Sequence, residues 1–270
     1  MASSRASEHI APIRIGTSGY SYKDWVGPFY PPGTAQGEYL SFYANEFRTT
    51  ELNFTFYRLP DSKTLARIMA KVGPGFLFAV KATRTLTHEL ADDLQAEANQ
   101  FVQAVEPMAA AGELGCVLVQ FPYAFKDTPG SRDHLKRLRE SLGDLPVAVE
   151  FRHDSWVTDE TFDFLRRHRL SYCCVDQPRL KGLLPPIAVA TAPVAYVRFH
   201  GRNAATWWQH EEAWQRYDYT YSRDELAEWI PKIRALAEES ESVLVYTNNH
   251  WQGQAVDAAR QLREMLEGSG

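Results

Sequence analysis

The stretch "VAVEFRHDSW", residues 147–156, begins apolar and then sets Glu150, Arg152, His153 and Asp154 in close succession before Trp156. On an extended chain Ala148, Glu150 and Arg152 share one face, while Val147, Val149 and Phe151 share the other. Similar groups end other β-branched runs: Glu51 and Asn53 in "TTELNFTF", Lys81 in "FLFAVKA", Gln120 in "CVLVQFP", Asp176 in "LSYCCVD", Arg198 and His200 in "VAYVRFHG", and Asn248 in "SVLVYTNN". Arginines offer bidentate forks and Lys81 a point charge, a set suited to a carboxylate or phosphate. Glu150 is the natural general acid or base, His200 can take the opposite proton-transfer role, and Lys81 completes the catalytic candidates. The same cations would depress the Glu150 pKa and suit a structural ion pair. Geometry separates these roles: a structural Glu150 holds Arg152 or Arg198, whereas a catalytic one points into open pocket space.

What could bring these strand ends together is a barrel. Eight short runs, starting at Ile13, Thr49, Phe76, Cys116, Pro146, Leu170, Val194 and Ser242, have strand character. Helical stretches such as "DSKTLARIMAKV", "SRDHLKRLRESLG" and "SRDELAEWIPKIRALAEE" lie between most of them, with Thr158 and Ser222 placed as N-caps. Eight alternations favour a single-domain TIM-type (β/α)8 barrel of the α/β class over an open doubly wound sheet. The sixth crossover should be irregular, because "QPRLKGLLPPIAVATAP" carries Pro178 and three further prolines without a helical period. In such a barrel the chemistry sits at the carboxyl ends of the strands. We expect a loose tail over 1–12 and one domain over 13–267.

Composition narrows the partners. Net charge is −5 with a pI near 5.9, so there is no bulk basic field to hold nucleic acid nonspecifically, and an anion must be caught locally. The three cysteines include adjacent Cys173 and Cys174 on an expected strand, a poor disulfide geometry that points to a reducing, cytoplasmic setting. No apolar run approaches the roughly 18 residues of a membrane helix, and the first dozen residues lack a signal-peptide core.

Aromatic residues form a second pattern. Trp25 follows the first run, Trp156 the fifth, and "ATWWQHEEAWQRYDYTY" puts Trp207, Trp208, Trp214, Tyr217, Tyr219 and Tyr221 into one loop after the seventh. That loop, over 204–221, is either a small core packed on the rim or a stacking platform for a nucleobase or sugar face. A divalent metal is an alternative, with Glu51, Glu150, Asp176 and His200 as ligands. Against it, Lys81, Arg152 and Arg198 would repel a cation, and no HxH, HExxH or CxxC spacing occurs.

The motifs "IGTSGYSYKDWVGPFYP", "TELNFTFYRLP", "FAVKATRTLTH", "LVQFPYAF", "VEFRHDSW", "YVRFHGR" and "VYTNNHWQGQAVDAA" run in order from about Ile13 to Ala259. Together they resemble the domain of unknown function 72 (YecE-like) family. The resemblance implies a TIM-type barrel without an established activity. It carries over Gly16, Ser18, Gly19, Tyr20, Trp25, Glu51, Asn53, Phe56, Tyr57, Lys81, His88, Gln120, Glu150, Arg152, Trp156, Arg198, His200, Gly201, Asn248 and Asn249. The family often has tryptophan where Tyr20 stands.

These patterns lead us to expect an enzyme that acts on a phosphate-bearing substrate (a nucleotide, nucleic-acid end or sugar phosphate) by acid/base hydrolysis or elimination. Glu150, His200 and Lys81 would be catalytic, and Tyr20, Trp25, Asn53, Tyr57, Gln120, Arg152, Trp156, Asp176, Arg198 and Asn248 would bind substrate. No cofactor is required. A non-catalytic nucleotide or nucleic-acid binder is one alternative, and a divalent-metal hydrolase or isomerase the other.

Overall fold

Each of the eight runs forms a strand in the computed structural model, which describes residues 10–90 and 93–268. The strands are β1 (Ile13–Thr17), β2 (Thr49–Leu52), β3 (Leu77–Lys81), β4 (Leu114–Gln120), β5 (Val147–Glu150), β6 (Leu170–Asp176), β7 (Val194–Phe199) and β8 (Ser242–Thr247). They pair in parallel in the order β1-β8-β7-β6-β5-β4-β3-β2. The helices between them are α1 (Tyr39–Tyr43), α2 (Ser62–Met69), α3 (Arg84–Thr87), α4 (Leu94–Ala110), α5 (Pro129–Ser141), α6 (Asp159–Arg167), α7 (Arg223–Ala227), α8 (Ile230–Glu239) and α9 (Gln254–Glu267). The fold is a TIM-type (β/α)8 barrel.

The capping expectations hold in detail. The Thr158 hydroxyl accepts from the Thr161 N–H, and Ser222 forms a capping box with Glu225. The single helix expected over "SRDELAEWIPKIRALAEE" is divided into α7 and α8. Pro231 lacks an N–H, and its ring would collide with the Ala227 carbonyl one turn back, so the chain restarts with this proline in the first turn of α8. Between β6 and β7, residues 177–193 contain neither helix nor strand, as the prolines there require. The tail expected over 1–12 lies outside the described residues for 1–9. Its last residues are fixed, because the Ala11 N–H donates to the Ala237 carbonyl at 2.9 Å and the Pro12 carbonyl accepts from Val243 at 3.0 Å.

Closure between β1 and β2 differs from the other seams. Instead of a full ladder there is one parallel bridge, Ser18 to Glu51, with the Gly19 N–H on the Glu51 carbonyl at 2.8 Å. Below it the buried Tyr43 hydroxyl, delivered by α1, accepts from the Thr17 N–H at 2.9 Å and donates to the Thr49 carbonyl at 3.0 Å. It replaces the missing strand-to-strand bond with a two-step bridge. Gly16 makes the approach possible: a Cβ there would lie 2.1 Å from the Thr49 carbonyl oxygen and 2.9 Å from the Tyr43 hydroxyl.

Two substitutions test the seam by urea unfolding. Tyr43→Phe leaves the buried Thr17 N–H and Thr49 carbonyl without their bridge and should cost about 1–3 kcal/mol. Gly16→Ala must push β1 off β2 and should destabilise by more. Wild-type stability in both would show that the barrel does not depend on this closure.

Candidate functional site

Inward-facing positions stack in layers up the barrel, and the upper layer is charged. Arg198 on β7 is buried between two strands' carboxylates: its Nη2 meets Glu51 Oε1 of β2 at 2.7 Å, and its Nη1 is bonded to Glu150 Oε2 of β5. Tyr196, one layer down on the same strand, donates its hydroxyl to Glu51 Oε2 at 2.6 Å. Glu150 is further engaged by Arg152 Nη2 at 2.7 Å and His200 Nε2 at 3.2 Å, both on Oε1. Glu51, Glu150 and His200 are 0% exposed; Glu51 borders the mouth cavity, while Glu150 and His200 lie beneath its floor.

Electrostatics follows from those contacts. Burial alone would raise the Glu150 carboxyl, but Arg152 and Arg198 outweigh it and hold the group well below the usual carboxylate range. His200 is driven the other way. Its burial, only partly opposed by Glu150, pushes its pKa down to about 3, so the imidazole is neutral at pH 7. Its Nδ1 lies 3.1 Å from Asn248 Nδ2, which can only donate. Nδ1 is therefore the acceptor, and the ring proton sits on Nε2, facing Glu150.

Above this floor opens a cavity of about 400 Å³, within the range of small-molecule sites. Lys81 from β3, Gln120 from β4 and Arg152 just past β5 line one part of it, Asn53 and Asn248 another. Lys81 Nζ donates to Gln120 Oε1 at 2.9 Å and lies 4.3 Å from the centre of the Phe56 ring. Burial, reinforced by Arg198, lowers its pKa to about 8. Tyr20, Tyr22, Phe54, Tyr57, Tyr217 and His250 supply aromatic walls, with Tyr22 stacked on His250 at 4.5 Å. Asn53 Oδ1 and His250 Nδ1 are buried without a hydrogen-bond partner, leaving polar groups for a ligand to satisfy.

The expected site residues fall into three sets. Lys81, Gln120, Arg152, Arg198, Asn53, Asn248, Tyr20 and Tyr57 meet at the cavity. Glu150 and His200 are held under it, in the geometry of a structural network rather than open to the pocket. Asp176, Trp25 and Trp156 are elsewhere. Asp176 faces the helix layer, where its oxygens accept from Tyr221 at 2.7 Å, Trp229 at 2.7 Å and Arg202 at 2.8 Å. Its placement follows from strand parity: Cys173 points inward, with Sγ 3.9 Å from Glu150 Oε2, so residue 176 points out. Trp25 and Trp156 are 0% exposed, each anchored through Nε1 to a carbonyl at 2.7 Å, that of His250 and of Phe125 respectively. They fix loops instead of touching the cavity.

Sequence reasoning missed Tyr22 and His250 as wall residues, although both lie inside the quoted motifs. The loop over 204–221 is mainly a packed rim. Trp207 is buried against Arg152 and Arg216, Trp214 stacks on Trp251 at 3.9 Å, and Tyr221 holds Asp176. Only Tyr217 of that loop reaches the cavity wall.

The metal alternative does not find its ligands assembled. Asp176 points away, and the oxygens of Glu51 and Glu150 are taken by arginines, a tyrosine and His200. Among the described residues, no cluster of three or more His, Cys, Asp or Glu side chains is arranged to hold a metal ion. All three cysteines are free and buried. No helix among the described residues is long and apolar enough to cross a membrane.

Comparison with known proteins points one way. The family model described as "Protein of unknown function DUF72" matches residues 14–270. The UPF0759 protein YunF of Bacillus subtilis is 28% identical, over 94% of this chain and 95% of its own length. A crystal structure of a DUF72 family protein from Thermotoga maritima superposes with a TM-score of 0.88 at 37% identity, covering 95% of this chain and 99% of the other. Another, from Enterococcus faecalis, does so with a TM-score of 0.85 at 25% identity, covering 94% and 95%.

Glu150→Gln tests the floor network. It leaves Arg152 and Arg198 short of a buried countercharge and should cost roughly 3–5 kcal/mol in urea unfolding. The pH dependence has a defined sign. Because the folded Glu150 pKa is lowered, its contribution is fully present above the ordinary carboxyl value of 4.5 and is lost as pH falls below it. The wild type should therefore have a steeper acid limb than the variant. A change of less than about 1 kcal/mol would point instead to a carboxylate kept for chemistry.

Proposed function

From the premise that this chain belongs to the DUF72 family, a family of unknown function, we propose that its barrel mouth takes a small anionic, phosphate-bearing substrate and that the Lys81 amine is the reacting group. One observation carries this: the charge of the site does not balance. Lys81, Arg152 and Arg198 are three cations, Glu51 and Glu150 two carboxylates, and His200 is neutral. Both carboxylates are committed to the arginines. Among the described residues none forms an ion pair with Lys81, whose ammonium has only a neutral amide oxygen and an aromatic face. A largely buried, uncompensated cation costs free energy, and an anion entering the mouth would relieve that cost.

Lys81 also has a pKa suited to proton transfer. At about 8, most of the population is charged at pH 7 and able to attract an anion, yet the proton can leave at small cost. Hydrolysis or elimination would then run through this amine, with Glu150 and His200 positioning Arg152 and Arg198. The aromatic walls suit a sugar face or nucleobase at the other end of a sugar phosphate, nucleotide or nucleic-acid end. This chemistry calls for no cofactor. Three free buried thiols support a cytoplasmic setting. A binding-only protein is the second reading, favoured by the locked state of Glu150 and His200, and it differs in predicting binding without product.

Thermal shift with inorganic phosphate, a phosphomonoester, a phosphodiester and a nucleotide, in wild type and Lys81→Met, tests the proposal. At least one anion should stabilise the wild type at pH 7, with the effect fading as pH rises through about 8. Lys81→Met should bind roughly tenfold or more weakly. Without ligand, the folded wild type gives up the Lys81 proton near pH 8 and the unfolded chain near 10.5, so this group adds stability as pH rises across that interval, and the variant should lack the increment. Equal anion binding by Lys81→Met would overturn the assignment.

A further inference from the structure

Resting on the reading of the mouth as an anion site, we propose that Lys81 bonds covalently to its substrate, as an imine with the carbonyl carbon of an anion that also bears an aldehyde or ketone. The class is a 2-oxo acid or an open-chain sugar phosphate.

The geometry around the amine supports a nucleophile more than a fixed charge. A lysine kept for its charge is normally paired with a carboxylate, and here the nearby carboxylates are held by arginines. Among the described residues the one hydrogen bond of Lys81 Nζ is to Gln120 Oε1, and that amide cannot turn away, because its Nε2 donates to the Phe121 carbonyl at 2.7 Å. Gln120 therefore presents an oxygen to the amine, accepting one N–H and leaving the remaining positions on nitrogen for attack. The Thr55 hydroxyl holds the Lys81 carbonyl at 2.5 Å, which fixes the base of the side chain. Phe56 covers one side of the nitrogen and limits the water that would hydrolyse an imine. Arg152 lines the same cavity and can hold the anionic end.

The step balances as follows. The neutral amine forms a C–N bond to the carbonyl carbon as the C=O π pair moves to oxygen. Counting from the ammonium, nitrogen gives up two protons, one to become the nucleophilic amine and one after attack; the oxygen takes both and departs as water, and the product is a protonated imine. No oxidant or metal takes part. The site ends with the same single surplus positive charge it began with, and the iminium N–H still faces Gln120 Oε1. With burial lowering the Lys81 pKa to about 8, roughly a tenth of the amine is neutral and nucleophilic at pH 7. An iminium acidifies the neighbouring C–H, which is what an elimination of phosphate from the next carbon needs.

Reductive trapping decides the matter. Wild type, Lys81→Arg and Lys81→Met are incubated with pyruvate or with glyceraldehyde 3-phosphate, plus sodium cyanoborohydride, and the modified lysine is mapped by mass spectrometry. We expect a one-to-one adduct at Lys81 in the wild type, formed at least tenfold faster than at exposed Lys63 or Lys126 and slowed by glycerol 3-phosphate, which has the anion but no carbonyl. Labelling by pyruvate alone selects an oxo acid, and labelling by the phosphate probe alone a sugar phosphate. Lys81→Arg should keep anion binding and lose the adduct. Adducts spread over surface lysines, while phosphate still stabilises the wild type and not Lys81→Met, would overturn the imine and leave the anion site standing. Loss of that stabilisation as well would overturn both.

Discussion

A guanidinium carrying a full charge lies inside the barrel, with Arg198 only 2% exposed, and the upper half of the molecule is built to make that tolerable. Desolvating such an ion costs several kcal/mol, which only close, well-directed partners offset. Those partners come from opposite sides of the cylinder, Glu51 on β2 and Glu150 on β5, so the pairing fixes three strands at once. The remaining oxygen of Glu51 accepts from the Tyr196 hydroxyl, and that of Glu150 is approached by Arg152 and His200 at ion-pair distance. The network reaches the weakest seam of the barrel too. Glu51 takes part in the one β1–β2 bridge, so the residue that neutralises Arg198 also helps close the cylinder.

Much of this was legible in the sequence, and the reasons are specific. Strand starts at Ile13, Thr49, Leu170, Val194 and Ser242 coincide with those observed, because a fully buried strand reads as a β-branched or aromatic run whichever face is inward. Caps at Thr158 and Ser222 were legible because capping is local. Parity placed Glu150 and Arg152 inward because "VAVEFR" has one polar face. It gave no guidance for "LSYCCVD", where both faces are apolar, and Asp176 consequently turned out to serve the helix layer. Trp25 and Trp156 were misplaced for a related reason. A tryptophan after a strand end is equally suited to wall a pocket or to pin a loop, and only the carbonyl within reach of its indole N–H decides.

The opening stretch resolves in the same terms. Glu150 and Arg152 belong to the barrel interior, while His153 and Asp154 do not. His153 caps the short turn at Asp154–Trp156 through Nδ1, accepting from the Ser155 N–H at 3.0 Å, and Asp154 is half exposed. Four charged or titratable residues within five positions thus divide into an internal clamp and an ordinary turn. The clamp looked catalytic in sequence because ion pairs and active sites draw on the same residue types.

That same clamp determines what kind of lysine Lys81 can be. Arg198 and Arg152 push its pKa down, Glu150 and Glu51 push it up, and burial is the largest influence. Were the arginines bare, their field would drive the amine neutral and the mouth would hold its positive charge in groups that never release protons. Were the carboxylates bare, Lys81 would be locked as an ammonium. Because each arginine carries its own countercharge, the opposing fields offset one another, and the amine answers chiefly to its apolar surroundings and to whatever enters the cavity. A neutralised floor under an amine that has no ion-pair partner among the described residues is therefore one device: the buried charges offset each other, and the charge left over is the one that answers to what enters the cavity.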